Sequence, residues 1–359
     1  MNVARFRYKV GIRRKSVPEG RAMKLRIGYF CDLEVYHPSF YLELVALAEK
    51  AGFDAIWAGD HFHPWADTDA YCSFTWTWMA TAAERTKKIP IGTSVTCPIF
   101  RYHPAIVAQA FATLRAMYPE RIFLGLGTGE AMNEVPLGYA WPSVKERVLR
   151  FEESIQLMQK LWTEDWVDFK GKYYRLKQAK LYVKPTTPVP VYVASFGPKV
   201  AEIAGKYAEG YITAFLVSEE HLRNVLIPAI ERGAEKMGRD PSKIEKVVEL
   251  DIGYDKDYTK ALKKVRFWAG SILPFGYKYG ISDPREIEAM GNFVGDEQVA
   301  KAFAIGTKAE DFISKIEKLI KMGFSHIYLV STSPDEKAFI ELCAKQILPY
   351  VKDTYAQES

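Results

Sequence analysis

Phe53-Asp54-Ala55-Ile56-Trp57-Ala58-Gly59-Asp60-His61-Phe62-His63-Pro64-Trp65 and Arg121-Ile122-Phe123-Leu124-Gly125-Leu126-Gly127-Thr128-Gly129-Glu130-Ala131-Met132-Asn133-Glu134 share one grammar. In each, a short apolar run suited to a buried strand (Phe53 to Trp57, Arg121 to Leu126) passes into a polar loop, and a helical pattern follows. That succession is a βα unit. Working outward, eight strand candidates trailed by helices can be counted: Leu25 to Phe30, Ala55 to Ala58, Ile89 to Val95, Ile122 to Leu126, Val189 to Ser195, Gly210 to Thr213, Val247 to Ile252 and His326 to Ser331. Eight such units predict an α/β fold, a closed (β/α)8 TIM barrel. The helices show i, i+3, i+4 apolar spacing, clearest in Phe40 to Ala51, Val144 to Trp162 and Ala309 to Met322, with Gly52 and Gly323 where helix ends need positive φ.

Two insertions interrupt the rhythm. Residues 165–176 alternate and turn at Gly171, which predicts a hairpin. Residues 270–307, rich in Gly, Pro and aromatics, are long for a barrel loop and predict a lid over the pocket. At 359 residues the chain is expected to form one barrel domain over 23–359, preceded by a basic extension over 1–22. That extension carries a net +6 of the overall +5, so the body is nearly neutral and no nucleic-acid partner is expected. No apolar run approaches the roughly 20 residues of a membrane span. Four cysteines without C-x-x-C or metal spacing read as reduced thiols, pointing to a cytoplasmic address and no metal.

Side chains at the C-terminal ends of parallel strands converge on one face of a barrel, where acid-base pairs are assembled from distant sequence. His61 follows the second strand; a neutral imidazole with a pKa near 6.5 accepts and returns a proton near neutrality. Asp60 beside it is read as a hydrogen-bonding anchor. Glu34, past strand one, and Glu130, past strand four, are carboxylates at the same rim, and Trp65 supplies a flat apolar wall for a planar ligand. Trp76 and Trp78 fit core packing. Gly127-Thr128-Gly129-Glu130 lacks the G-x-G-x-x-G spacing and does not open the first βαβ unit, so a dinucleotide fold is discarded. Ser195-Phe196-Gly197-Pro198-Lys199 combines a glycine with a helix N-terminus, either an anion site or an ordinary helix start.

The stretches D-H-F-H-P-W, G-T-S-V-T-C-P, R-Y-H-P-A-I-V-A-Q-A-F-A-T and G-T-G-E-A-M-N-E together resemble the coenzyme F420-dependent dehydrogenases of the luciferase-like superfamily, from about Met23 to the C-terminus. The resemblance implies a (β/α)8 barrel, a homodimer, and F420 bound at the C-terminal face, with FMN the alternative cofactor. It implies that His61 is the acid or base, with Trp65 and Glu130 beside the reacting carbon and Glu34 in the same pocket. Asp60, Thr128, Gly129, Asn133, Phe196, Gly197, Lys199 and Val200 fall on cofactor positions. A non-proline cis peptide is implied at Ser94-Val95, and Cys97 stands where sugar-phosphate members have Thr. At the phosphate end those members place Thr, Lys, Lys and Arg; this chain has Ala214, Val217, Lys278 and Ala302. Losing two charge-assisted bonds removes about 3 to 6 kcal/mol. The substrate expected is therefore an uncharged secondary alcohol, with Trp268 joining Trp65 around a small apolar pocket. A sugar or sugar-phosphate dehydrogenase recruiting Lys278 is the alternative, followed by an FMN-dependent monooxygenase or a methylenetetrahydromethanopterin reductase-like enzyme.

Overall fold

Eight parallel strands close on themselves in the computed structural model, which describes residues 24–214, 216–273 and 280–355. We number the barrel strands β1 (Arg26–Cys31), β2 (Ala55–Ala58), β3 (Ile91–Thr93), β4 (Ile122–Leu126), β5 (Val191–Ala194), β6 (Gly210–Ala214), β7 (Glu245–Tyr254) and β8 (His326–Ser331). Each pairs in parallel with its neighbour, and β8 returns to β1 through Arg26↔His326 to Phe30↔Val330. The eight expected strands are all present, with ends shifted by a few residues where flanking apolar side chains lie outside the ladder.

Alternation sorts the strand residues into two cores. One face, with Trp57, Phe123, Tyr192, Val247 and Tyr328, fills the barrel; the other packs under the surrounding helices. Trp57 and Tyr328 stack at 5.0 Å, and Trp57 Nε1 donates to His326 Nε2 at 3.2 Å. Burial holds that histidine well below its ordinary pKa, so it serves as a neutral acceptor in the barrel floor. The expected helix-ending glycines adopt φ of +93° at Gly52 and +96° at Gly323. His103 caps the helix Pro104–Met117, accepting from Ala105 N at 3.2 Å.

Gly125 marks a tight contact between β3 and β4: a Cβ there would lie 1.9 Å from the Thr93 carbonyl oxygen. Backbone cannot step aside as a side chain does. Gly125→Ala is expected to destabilise by about 1 to 3 kcal/mol, read from the urea midpoint. Gly197→Ala, where nothing lies within 4 Å, should stay within about 0.5 kcal/mol. Equal midpoints would refute this reading of the β3–β4 contact.

The hairpin is present as Val167–Lys170 and Arg175–Ala179. The long insertion holds more order than its composition implies: helices Pro284–Gly291 and Asp296–Ala302, then a strand, Ala304–Gly306, which pairs with the end of β7 at Ile252 to Tyr254. This strand continues the edge that β6 vacates beyond Glu249. No helix among the described residues is long and apolar enough to cross a membrane.

Candidate active site

The loops after the strands meet around a cavity of about 630 Å³, a volume suited to a small molecule or cofactor. His61, Glu34, Trp65 and Glu130 all line it, together with Ser94, Val95, Phe196 and Trp268. Three separate loops, those after β1, β2 and β4, thus deliver the side chains expected at one rim.

The loop after β1 is shaped by Asp32, whose Oδ1 accepts from Glu34 N at 2.8 Å and Val35 N at 3.1 Å. This turn points the Glu34 carboxylate inward. One of its oxygens lies 2.5 Å from His61 Nδ1; the other accepts from Trp65 N at 3.0 Å. The His61 contact is ionic, since the buried Nδ1 finds no acceptor along a good hydrogen-bond direction. Burial opposes charge on the ring, but Glu34, aided by Glu130, outweighs it and pushes the pKa of His61 up to about 9. His61 is therefore cationic at neutral pH in the cofactor-free protein, which corrects the expectation of a neutral imidazole.

Asp60 is an anchor. Its carboxylate accepts from Thr96 Oγ1 at 2.5 Å, Arg101 Nη2 at 2.9 Å and Tyr102 OH at 3.1 Å, all from the loop after β3. These bonds take up both oxygens, so the side chain holds the start of the His61 loop and does not line the cavity. Asn133 is likewise buried, bonded to the His61 loop and to Glu130. Arg101, whose role sequence reasoning missed, links the Asp60 anchor to Glu134 through its backbone N–H, 2.8 Å from Glu134 Oε2. Burial pushes the Glu134 carboxyl up to about 7.

The remaining positions divide. The peptide between Ser94 and Val95 is cis, and both residues form a cavity wall. Cys97 is buried beneath Gly129, where an added Cβ would sit 2.5 Å from its Sγ, so it supports the Gly127 to Glu130 turn from behind. Thr128 and Gly129 are half-buried in that turn, Lys199 is exposed on the first turn of the helix Pro198–Tyr207, and Val200 packs into the core. Gly197 is open on its Cβ side and leaves room against the cavity mouth at Phe196.

On the substrate side Trp268 lines the cavity, but Val217 turns onto the outer core and Leu216 takes the lining position. Ala302 packs behind the lining residue Phe303. These are corrections of one residue each, set by which way each side chain leaves the backbone. Lys278 lies outside the described residues. Trp76 and Trp78 are core, as expected.

Two acids had gone unnoticed. Glu249 and Asp251, on the inward parity of β7 with Val247, line the cavity. Tyr328 OH donates to Glu249 Oε2 at 2.8 Å and meets Ser94 Oγ at 2.9 Å. Burial raises the pKa of both carboxyls, and the neighbouring Glu249 raises that of Asp251 further. The signal was readable: polar residues at alternating positions near the C-terminal end of a barrel strand. Among the described residues, no group of three or more His, Cys, Asp or Glu could hold a metal ion.

Residues 25–326 match the family model described as luciferase-like monooxygenase, and the chain belongs to that family. Within it, the chain is similar to F420-dependent glucose-6-phosphate dehydrogenases: 41% identical to that of Mycolicibacterium smegmatis, over 92% of this chain and 98% of that protein. It is equally identical to that of Mycobacterium leprae over the same shares. Among solved structures it resembles an F420-dependent secondary alcohol dehydrogenase in complex with an F420-acetone adduct, with TM-score 0.86 and 44% identity over 90% of this chain and 98% of that one. The coenzyme F420-dependent tetrahydromethanopterin reductase of Methanopyrus kandleri, at 21% identity and TM-score 0.74 over 91% of this chain and 99% of that one, shares the fold.

Proposed function

We propose that this chain transfers a hydride between the carbinol carbon of an uncharged secondary alcohol and coenzyme F420. The relatives make it an F420-dependent oxidoreductase acting on CH–OH donors; the alcohol and the residue roles are our reading. The observation that carries the roles is the convergence of His61, Glu34, Trp65 and Glu130 on one cavity. When bound, F420 supplies a deazaflavin carbon that exchanges hydride pairs. The cis peptide wall at Ser94 and Val95, the Thr128-Gly129 turn and the Phe196 to Lys199 segment would hold it, with Val95 and Trp65 against a planar ring and Gly197 leaving room for the tail.

With Nδ1 turned to Glu34, His61 Nε2 is the nitrogen left for a substrate hydroxyl. In alcohol oxidation the neutral ring takes the hydroxyl proton; in carbonyl reduction the cation returns it, with Glu130 stabilising that charge. Trp65 and Trp268 exclude water from the reacting carbon. The cavity is lined by Asp32, Glu34, Glu130, Glu249 and Asp251, and among the described lining residues there is no Lys or Arg. A phosphate group would meet carboxyls there, which favours a neutral substrate.

The pH dependence follows from the charge on His61. Its folded pKa is raised, so the protonated form dominates until the pH passes about 9. Alcohol oxidation, which needs the neutral ring, should show kcat/KM climbing toward pH 9, while carbonyl reduction should be favoured below it. Glu34→Gln removes the carboxylate that outweighs burial, so the ascending limb of alcohol oxidation should move from about 9 to the ordinary 6.5 or below. An unmoved limb would detach Glu34 from the proton chemistry.

Fluorescence titration with F420 and with FMN tests the cofactor, and exclusive FMN binding would end the dehydrogenase reading. The same reading carries a cytoplasmic homodimer, tested by light scattering of the full chain.

A further inference from the structure

We propose that Asn133 is a positioning residue that holds His61 and Glu130 in one geometry, as a staple between the loops after β2 and β4. Both ends of its carboxamide bond to protein. Oδ1 accepts from Phe62 N at 2.7 Å and, more weakly, His63 N at 3.4 Å, while Nδ2 donates to Glu130 Oε2 at 3.2 Å. Asn133 is 1% exposed and sits in the short helix Ala131–Glu134, fixed to Glu130 by its own N–H bonding to the Glu130 carbonyl at 3.2 Å. One carboxamide thereby ties the residues just after His61 to the carboxylate of Glu130. It acts from the downstream side of His61, while the Asp60 anchor acts from the upstream side.

Both ends of the amide are needed. An acceptor alone would hold the His61 loop but leave Glu130 free to rotate; a donor alone would do the reverse. His61 is faced by Glu34 from the loop after β1, Arg101 from the loop after β3, Glu130 from the loop after β4 and Glu249 from β7. Its protonation therefore depends on how far the loop 61–63 sits from these four groups, and Asn133, with the Asp60 anchor, fixes that distance. The inference rests on the proposed function for its kinetic consequence, but its geometric content does not.

Asn133→Ala and Asn133→Asp separate the possibilities in the full chain. Asn133→Asp keeps the volume and the acceptor for the Phe62 amide while turning the donor facing Glu130 into a carboxylate, so it serves if Asn133→Ala fails to fold. NMR titration of the His61 ring in cofactor-free protein, assigned with His61→Gln, is expected to move in opposite directions: downward in Asn133→Ala as the loop leaves Glu34, upward in Asn133→Asp as negative charge is added. With 2-propanol and F420, kcat should fall about a hundredfold in Asn133→Ala, the scale of a 1 Å misplacement, with the pH profile displaced in step with the titration. Weakened F420 binding with an unchanged His61 titration and unchanged kcat would overturn the proposal and make Asn133 a cofactor ligand alone. If the wild-type chain turns over no alcohol, the proposed function fails, and the His61 titration still decides the positioning role.

Discussion

Alcohol-dependent reduction of F420 is expected to fall by about 10²- to 10⁴-fold in His61→Ala, the range for removing a general acid-base group, with F420 binding little changed. The ring lies inside the cavity against Glu34, and the elements around it are anchored independently: Asp60 by Thr96, Arg101 and Tyr102, and Trp65 N by Glu34. Removing the imidazole would therefore leave the loop in place and delete the proposed proton acceptor. Steady-state kinetics with 2-propanol, beside fluorescence titration of F420, separate the two effects. Near-normal turnover would remove His61 from the mechanism; lost cofactor binding would make it a structural element.

The second large effect concerns the substrate. An uncharged secondary alcohol is expected to exceed glucose 6-phosphate in kcat/KM, because about 3 to 6 kcal/mol of charge-assisted bonding to phosphate is missing, equivalent to about a hundred- to ten-thousandfold. Ala214 lines the cavity where a polar group would be needed, Ala302 lies behind Phe303, and Asp251 adds a carboxyl to the same lining. Asp251→Lys should narrow the gap by improving the sugar phosphate more than the alcohol. A wild-type preference for glucose 6-phosphate would overturn the substrate assignment and favour a sugar-phosphate dehydrogenase.

The barrel was legible because its strands are short apolar runs ending in polar loops, and β2, β4 and β8 begin and end at the expected residues. His61, Glu34, Trp65 and Glu130 were legible for the same reason: position after a strand places a residue at the C-terminal rim. What escaped were residues whose roles depend on partners far along the chain. Arg101 acts through its bond to Asp60, and Asn133, expected only as a cofactor position, reaches Phe62; no local pattern announces such bonds. Glu249 and Asp251 lay inside the expected strand Val247 to Ile252, where their shared parity with Val247 was the overlooked sign. The strand Ala304–Gly306 was missed because three residues are too few to show a period. The raised pKa of His61 was not legible, because the ordinary value takes no account of a carboxylate at 2.5 Å.

The most direct test of hydride transfer uses 2-propanol carrying deuterium at its carbinol carbon, incubated with the full chain and oxidised F420, followed by mass spectrometry of the reduced cofactor. Our account predicts one deuterium per reduced F420 and a slower rate than with unlabelled alcohol. Reduced F420 without the label, or no reduction at all, would contradict it.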